Sequence, residues 1–195
     1  MDSMLDKIFS MVVGTIMILS IQALIRNMNG SASDQSLNSI VQSNLLSVTN
    51  VIEDDFRKMG YNVSVPADSC IRYADSSTVI FKGDVDNNGM VDSLRYSLGP
   101  STRSGNLNPH TRLLYRRFNN SEGSINLGIT RFLFTYYDAA GNKMASVPSV
   151  AKPSLIRSIK VTLNIESIMP SKLVANDTTY SCAAWEQLFK PRNLR

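Results

Sequence analysis

A loop with the sequence DVDNNGMVD, residues 84–92, carries the clearest chemical pattern in the chain. Four oxygen-bearing side chains fall at positions 1, 3, 5 and 9, namely Asp84, Asp86, Asn88 and Asp92. Alternating oxygen ligands around a glycine turn suit Ca²⁺, with the carbonyl of Met90 as the ligand at position 7. Position 12 holds Arg95 instead of the glutamate of an EF-hand. The pattern predicts a calcium site, and the alternative is a hairpin turn rich in Asp and Asn.

Little else in the sequence suits catalysis. The one histidine, His110, lies in the loop NLNPHTR, with no pattern of acid and nucleophile near it. Glycine-rich phosphate loops and zinc-binding spacings are also missing from the sequence. The acidic run at residues 53–55 is predicted to be solvated or to pair with Arg57 or Lys58. The sequence therefore predicts a protein that is not an enzyme.

The two cysteines, Cys70 and Cys182, lie far apart and match no metal-binding spacing. In an oxidising compartment such a pair is expected to form one disulfide that closes the C-terminal domain. The alternative is two buried free thiols. The disulfide interpretation favours the periplasm or the cell exterior.

These residues need elements to position them, and the strongest signal is an uncharged apolar run at residues 8–25. As a helix it would be roughly 27 Å long, close to the thickness of a bilayer's hydrocarbon core. It has no polar stripe, which favours a retained membrane anchor over a buried core helix. The residues expected to face lipid or packed helices are Ile8, Phe9, Val12, Ile16, Leu19 and Leu24.

A helix break is predicted near residues 27–33, where NMNGSASD is rich in small polar residues. Beyond it, apolar residues recur every three or four positions and predict an amphipathic helix over residues 34–59. The members of this stripe are Leu37, Val41, Leu45, Val48, Ile52, Phe56 and Met59. Gly60 is expected to end the helix.

From residue 61 onwards, short β-rich runs alternate with turn residues, which indicates an antiparallel sheet. Strands are predicted at residues 70–73, 78–82, 93–98, 112–118, 124–126, 131–137 and 156–167, and a short helix at 182–189. The amphipathic helix is the expected cover for the sheet. The predicted fold is therefore α+β, with a helical segment at residues 1–33 and a globular domain at residues 34–195.

The apolar helix, the break, the amphipathic helix ending FRKMGY and the hairpin loop running into DSLRYSL together resemble the type IV pilin superfamily. The segments LLYRRFNN, GITRFLFTYYDAAGN, IRSIKVTLNIES and PRNL continue the resemblance in the same order. It covers nearly the whole chain and is closest to the larger minor pilins and pseudopilins of type IV pilus and type II secretion systems.

The resemblance implies a lollipop-shaped structural subunit that polymerises through its N-terminal helix into a pilus-like or pseudopilus filament. The implied partners are other copies or related subunits, an assembly machinery, and the inner membrane before assembly. The domain would lie in the periplasm or outside the cell. Pilins carry a glutamate at the fifth position of this helix, where this chain has Leu5, and the carboxylate that could take its place is Asp6 or Asp2.

Two other functions fit the same sequence. In the first, the helix merely tethers an extracytoplasmic binding module that does not polymerise. In the second, the domain binds DNA, which would require its basic residues to share one face. Those residues are Arg112, Arg116, Arg117, Lys190, Arg192 and Arg195. No block of lysine and arginine stands out, so nucleic acid is the less favoured partner.

Overall fold

The computed structural model of the chain describes residues 2–63, 70–100, 107–146, 149–174 and 177–194. One long helix, α1 (Asp2–Arg57), precedes all the strands. The strands are β1 (Ile71–Ala74), β2 (Thr78–Gly83), β3 (Asp92–Leu98), β4 (Leu114–Phe118), β5 (Ser121–Ile125), β6 (Ile129–Tyr137), β7 (Ser158–Glu166), β8 (Lys172–Val174), β9 (Asp177–Thr179) and β10 (Cys182–Phe189). Two short 3-10 helices, Pro153–Leu155 and Arg192–Leu194, complete the described elements. The layout confirms the predicted α+β class.

The strands form a five-stranded sheet in the order β1-β2-β3-β4-β5, a three-stranded sheet in the order β10-β7-β6, and a small β8-β9 pair. Every strand pairing is antiparallel. The two larger sheets meet beside the β1–β2 turn, where the Phe134 amide donates to the Ser76 carbonyl at 2.9 Å. Alternating burial along β2, β3 and β7 leaves one face of each strand for the core.

The second half of α1 packs on both sheets, and the predicted apolar stripe supplies the contacts. All its members from Val41 to Met59 are buried, and Leu37 is half-buried. Phe56 is central, with ring centroids 5.2 Å from Phe81 of the first sheet and 5.1 Å from Phe189 of the second. At the other end of the packed segment, Asn44 Nδ2 lies 3.4 Å from the Leu127 carbonyl. The helix therefore runs along the sheets, and Gly60, at φ +73°, turns the chain just beyond it.

Residues 2–40 of α1, called the stem below, project from this packed body, called the head. No described side chain of the stem is buried. The predicted break at residues 27–33 is wrong, because α1 continues through them without interruption. Small polar residues cost at most about 1 kcal/mol each in a helix. Because extending a helix costs much less than starting one, the helical segments on both sides continue through such a stretch.

The predicted helix at residues 182–189 is also wrong, since this segment is β10 and pairs with β7 from Cys182↔Glu166 to Phe189↔Ile159. The pairing buries Ala183 and Phe189 against the rest of the core. The seven predicted strands are confirmed within about three residues at each end, whereas β8 and β9 were not predicted.

Candidate functional site

The loop between β2 and β3 brings the predicted metal ligands together. Carboxylate oxygens of Asp84, Asp86 and Asp92 all lie within 4.8 Å of one another. Asp84 and Asp92 are buried, whereas Asp86 is exposed. Three carboxylates at this separation repel one another unless a cation lies between them.

Main-chain amides hold the loop in its shape. The Asp84 carboxylate accepts hydrogen bonds from the amides of Asn88 and Gly89, each at 3.0 Å. The Asn88 side-chain oxygen accepts from the Met90 amide at 2.8 Å. Asn87 and Gly89 adopt φ values of +59° and +87°, which are tolerated best by asparagine and glycine. The segment DVDNNG therefore forms a compact turn of the kind found in loops that bind metal ions.

Neighbouring elements fix the loop from both sides. Asn119, just beyond β4, donates to Asp92 Oδ1 at 2.8 Å, and Asn62 donates to the Gly89 carbonyl at 3.0 Å. Lys58 donates to the Val85 carbonyl at 2.6 Å. The donor set of carboxylate, amide and carbonyl oxygens fits Ca²⁺. Arg95, at position 12, lies within β3 and supplies no bidentate carboxylate, so the site is shorter than an EF-hand.

The two cysteines do not form the predicted disulfide. Cys70 is buried and Cys182 is exposed, and both are free. Cys70 lies beside Gly60 and Asn193, at the end of the head that holds Phe189. Cys182 is at the opposite end of β10, seven residues or about 23 Å of strand from Phe189. The two cysteines therefore lie toward opposite ends of this strand, whereas a disulfide needs Cα atoms within about 7 Å.

Asp55 is predicted to be solvated but is buried between α1 and the five-stranded sheet. Its carboxylate accepts hydrogen bonds from Arg116 Nε at 2.7 Å and Nη2 at 2.8 Å, and from the Tyr96 hydroxyl. Burial raises the pKa of Tyr96 well above its usual value, and the Asp55 charge raises it further. The hydrogen bond from Arg116 to Asp55 raises the pKa of the guanidinium. A sequence signal was available, because Asp55 falls on the buried stripe at three residues from Ile52.

Other polar pairs are partly as predicted. Arg57 pairs with Glu53 at 3.1 Å, as its spacing of four residues indicates. His110 lies in an exposed loop, and its Nδ1 is 3.0 Å from Glu166 Oε2 at the end of β7. That contact depends on how residues 107–111 fold against the sheet, so the sequence could not predict it.

The basic residues that DNA binding would require on one face are separated. Arg116 points into the head toward Asp55, whereas its neighbour Arg117 is exposed on the opposite face of the sheet. Lys190 lies at the far end of β10 beside Arg57 and Tyr61. Arg195 and the side chain of Arg192 lie outside the described residues. Arg116, Arg117 and Lys190 therefore do not form the single basic face that DNA binding would require.

Most of the exposed large apolar side chains among the described residues lie in the stem. Exposure ranges from 49% at Val12 to 70% at Phe9 among the six residues predicted to face lipid or packed helices. The helix segment Asp6–Arg57 is long and apolar enough to cross a membrane, and its most apolar stretch is 0% buried. A membrane anchor and a signal sequence both have this character. Asp6 is exposed on the same helix.

Comparison with models of protein families and with curated proteins finds no match to this chain.

Proposed function

We propose that this chain is a structural, pilin-like subunit that assembles through its N-terminal apolar helix into a type IV pilus-like or pseudopilus filament, as a minor or tip component. The observation that carries the proposal is the exposed stem. Ile16, Leu19 and Leu24 are 57%, 59% and 60% exposed in the single chain. Leaving such residues in water costs roughly 1.5–3 kcal/mol each relative to burial.

A helix that is apolar on all sides can be buried in two environments. The bilayer accepts it because every backbone hydrogen bond is made within the helix. A bundle of similar helices accepts it because side-chain packing replaces lipid contacts. The same stem can therefore reside in the inner membrane first and in a filament core afterwards, with the head outside the bilayer in both states.

The polar residues of the apolar run favour both environments. The hydroxyls of Ser10, Thr15 and Ser20 donate to carbonyls four residues earlier, each at 2.8 Å. Ser10 and Gly14 are four residues apart and leave a flat patch on one side of the helix. A Cβ built at Gly14 meets nothing within 4 Å in the single chain. This patch is suited to close approach by a second helix.

Assembly is tested by replacing Ile16 with lysine and comparing sheared surface filaments with the membrane fraction. We expect loss of the subunit from filaments, because a charge in a packed apolar bundle is costly. The matched control is Leu155→Lys, which adds the same charge at an exposed apolar residue of the head. Normal incorporation of the Ile16 variant would contradict the proposal.

A second variant separates failed assembly from failed membrane insertion. Gly14→Leu keeps the run apolar, so the membrane level is expected to be unchanged, whereas filament incorporation falls about tenfold or more because helices cannot approach closely. Val13→Leu is the control for added volume. Membrane retention of the wild-type chain with none in the sheared fraction would favour a tethered binding module that does not polymerise.

For the loop at residues 84–92 we propose Ca²⁺ as the ligand, held by Asp84, Asp86, Asn88, Asp92 and the Met90 carbonyl. Its effect would be to fix the β2–β3 connection by neutralising the three carboxylates. We expect Ca²⁺ to raise the melting temperature, EGTA to reverse the rise, and Asp86→Asn to weaken it. Asp138→Asn, in another exposed turn, is the control. No heat on calorimetric titration and no change in melting would contradict calcium binding.

A further inference from the structure

One face of the five-stranded sheet points away from the core and is strongly basic. Its central row crosses four strands, as Tyr73↔Ile80, Ile80↔Arg95 and Arg95↔Arg117 are paired in register. The alternate residues of these strands, including Phe81, Leu94 and Tyr96, are buried, so the row faces solvent. We call this surface the outer face.

Two arginines stand directly opposite each other in this row. Arg95 and Arg117 are a register pair of β3 and β4, and both are exposed. Neither guanidinium has a hydrogen bond or an ion pair with any described residue. Like charges placed directly across two strands are destabilising. The sheet carries this cost in the single chain, and an anion bound between the two arginines would remove it.

The surroundings of the pair favour a phosphate. Arg95, Arg117, Ile80, Ser93 and Asn119 line a shallow pocket of about 180 Å³. Its rim combines two cations with the Ser93 hydroxyl, which are groups that commonly bind phosphate oxygens. Ser93 and Asn119 also hydrogen-bond to each other through their backbones at 2.8 Å, which fixes the pocket floor.

Other charges on this face are mostly positive. Arg72 is exposed at the bulge in β1. Lys82, which pairs with Ser93, lies in the row adjacent to that of the arginine pair. The carboxylate that faces them is Glu122, paired in register with Arg117 at the β5 edge, and Asp75 lies in the β1–β2 turn. The four cations thus outnumber the two carboxylates.

Two tyrosines flank the cations. Tyr73 is 38% exposed at one side of the row, and Tyr115, half-buried, lies two residues before Arg117 on the same face. At a strand spacing of about 4.8 Å, Tyr73 and Arg117 are roughly 14 Å apart. An open sheet face that presents aromatic rings among cations is a stacking platform for unpaired bases.

We propose that the outer face binds single-stranded nucleic acid, with backbone phosphates at Arg95 and Arg117 and bases stacked on Tyr73 and Tyr115. The width of the row accommodates about two or three nucleotides. Duplex is disfavoured because its bases are already stacked and cannot reach the tyrosines. The inference rests on the head alone and holds whether or not the stem assembles into filaments.

The test measures fluorescence anisotropy of a labelled oligo-dT of 15 nucleotides with the full chain in a non-ionic detergent. Binding is expected to weaken with salt. Arg117→Gln should reduce the slope of log K against log salt by about 0.7, the value for one phosphate contact on a single strand. Tyr115→Leu should weaken binding about tenfold through lost stacking. Glu122→Gln should strengthen binding.

Matched controls decide whether the site is specific. Arg131→Gln removes the same charge from an exposed residue of β6 in the other sheet and should leave binding unchanged. A hairpin duplex and inorganic polyphosphate of similar charge should bind more weakly and be insensitive to Tyr115→Leu. The proposal is overturned if Arg131→Gln and Arg117→Gln have equal effects, or if polyphosphate binds as tightly as oligo-dT.

Discussion

The buried carboxylate of Asp55 connects three elements at the residue scale. It joins α1 to Tyr96 of β3 and to Arg116 of β4 through hydrogen bonds that leave neither oxygen unpaired. Arg116 also lies with its guanidinium 5.8 Å from the ring of Phe118. Removing one member of such a buried pair costs more than the pair contributes, because the remaining charge keeps its desolvation penalty.

Asp55→Asn is therefore expected to lower the free energy of unfolding by about 3 kcal/mol. Urea unfolding of the head followed by fluorescence of the single tryptophan, Trp185, would measure this change. Asp54→Asn, one residue away and exposed, should change stability by less than about 0.5 kcal/mol. Equal effects of the two substitutions would show that the Asp55 network contributes no more to the free energy of unfolding than an exposed carboxylate does.

Individual side chains differ in how far the sequence predicts them. The acidic cluster of the loop at residues 84–92 could be predicted because its members are close in sequence and their spacing defines the turn. Asp55 and Arg116 are 61 residues apart, and their contact requires knowing which strands pair and in which register. The Arg95–Arg117 pair has the same origin, since a shift of one residue in the β3–β4 register would separate them.

At the scale of elements, strand β10 was wrongly predicted to be a helix because the prediction used its local sequence alone. Its sequence CAAWEQLF contains good helix formers, yet β7 offers an unpaired edge along its full length and the core accepts Phe189. Tertiary pairing therefore overrides local propensity. The long helix and seven strands were predictable because their periodic apolar patterns extend over many residues.

The register of β10 gives a prediction for the two thiols. In the folded chain, Cys182 should react with a maleimide reagent within minutes, whereas Cys70 should react only after unfolding. Burial raises the pKa of the Cys70 thiol and further lowers its reactivity. Mass spectrometry of labelled peptides distinguishes the two residues. Recovery of a Cys70–Cys182 disulfide from native protein would contradict the strand register described above.

At the scale of the whole molecule, the head contains its own core and the stem contributes nothing to it. A chain that begins at residue 34 keeps every buried residue of the helix, from Val41 onwards. We expect it to be soluble without detergent and to melt within a few degrees of the head in the full chain. A chain that begins at residue 49 loses Val41, Leu45 and Val48 from the core and should not fold. A soluble, cooperatively melting second variant would contradict the assignment of this core.

The way in which α1 lies along the sheets determines how the molecule carries force. Its packed segment extends from near Leu127 to Phe189, so tension applied through the stem loads the interface between helix and sheets in shear. All the contacts that residues 41–59 of the helix make with the sheets must then break at the same time. These include the Asp55–Arg116 ion pair, which joins the helix to the sheet. A sideways load would instead separate the same contacts one after another. The fold is thus mechanically anisotropic, and it is strongest along the axis of its own helix.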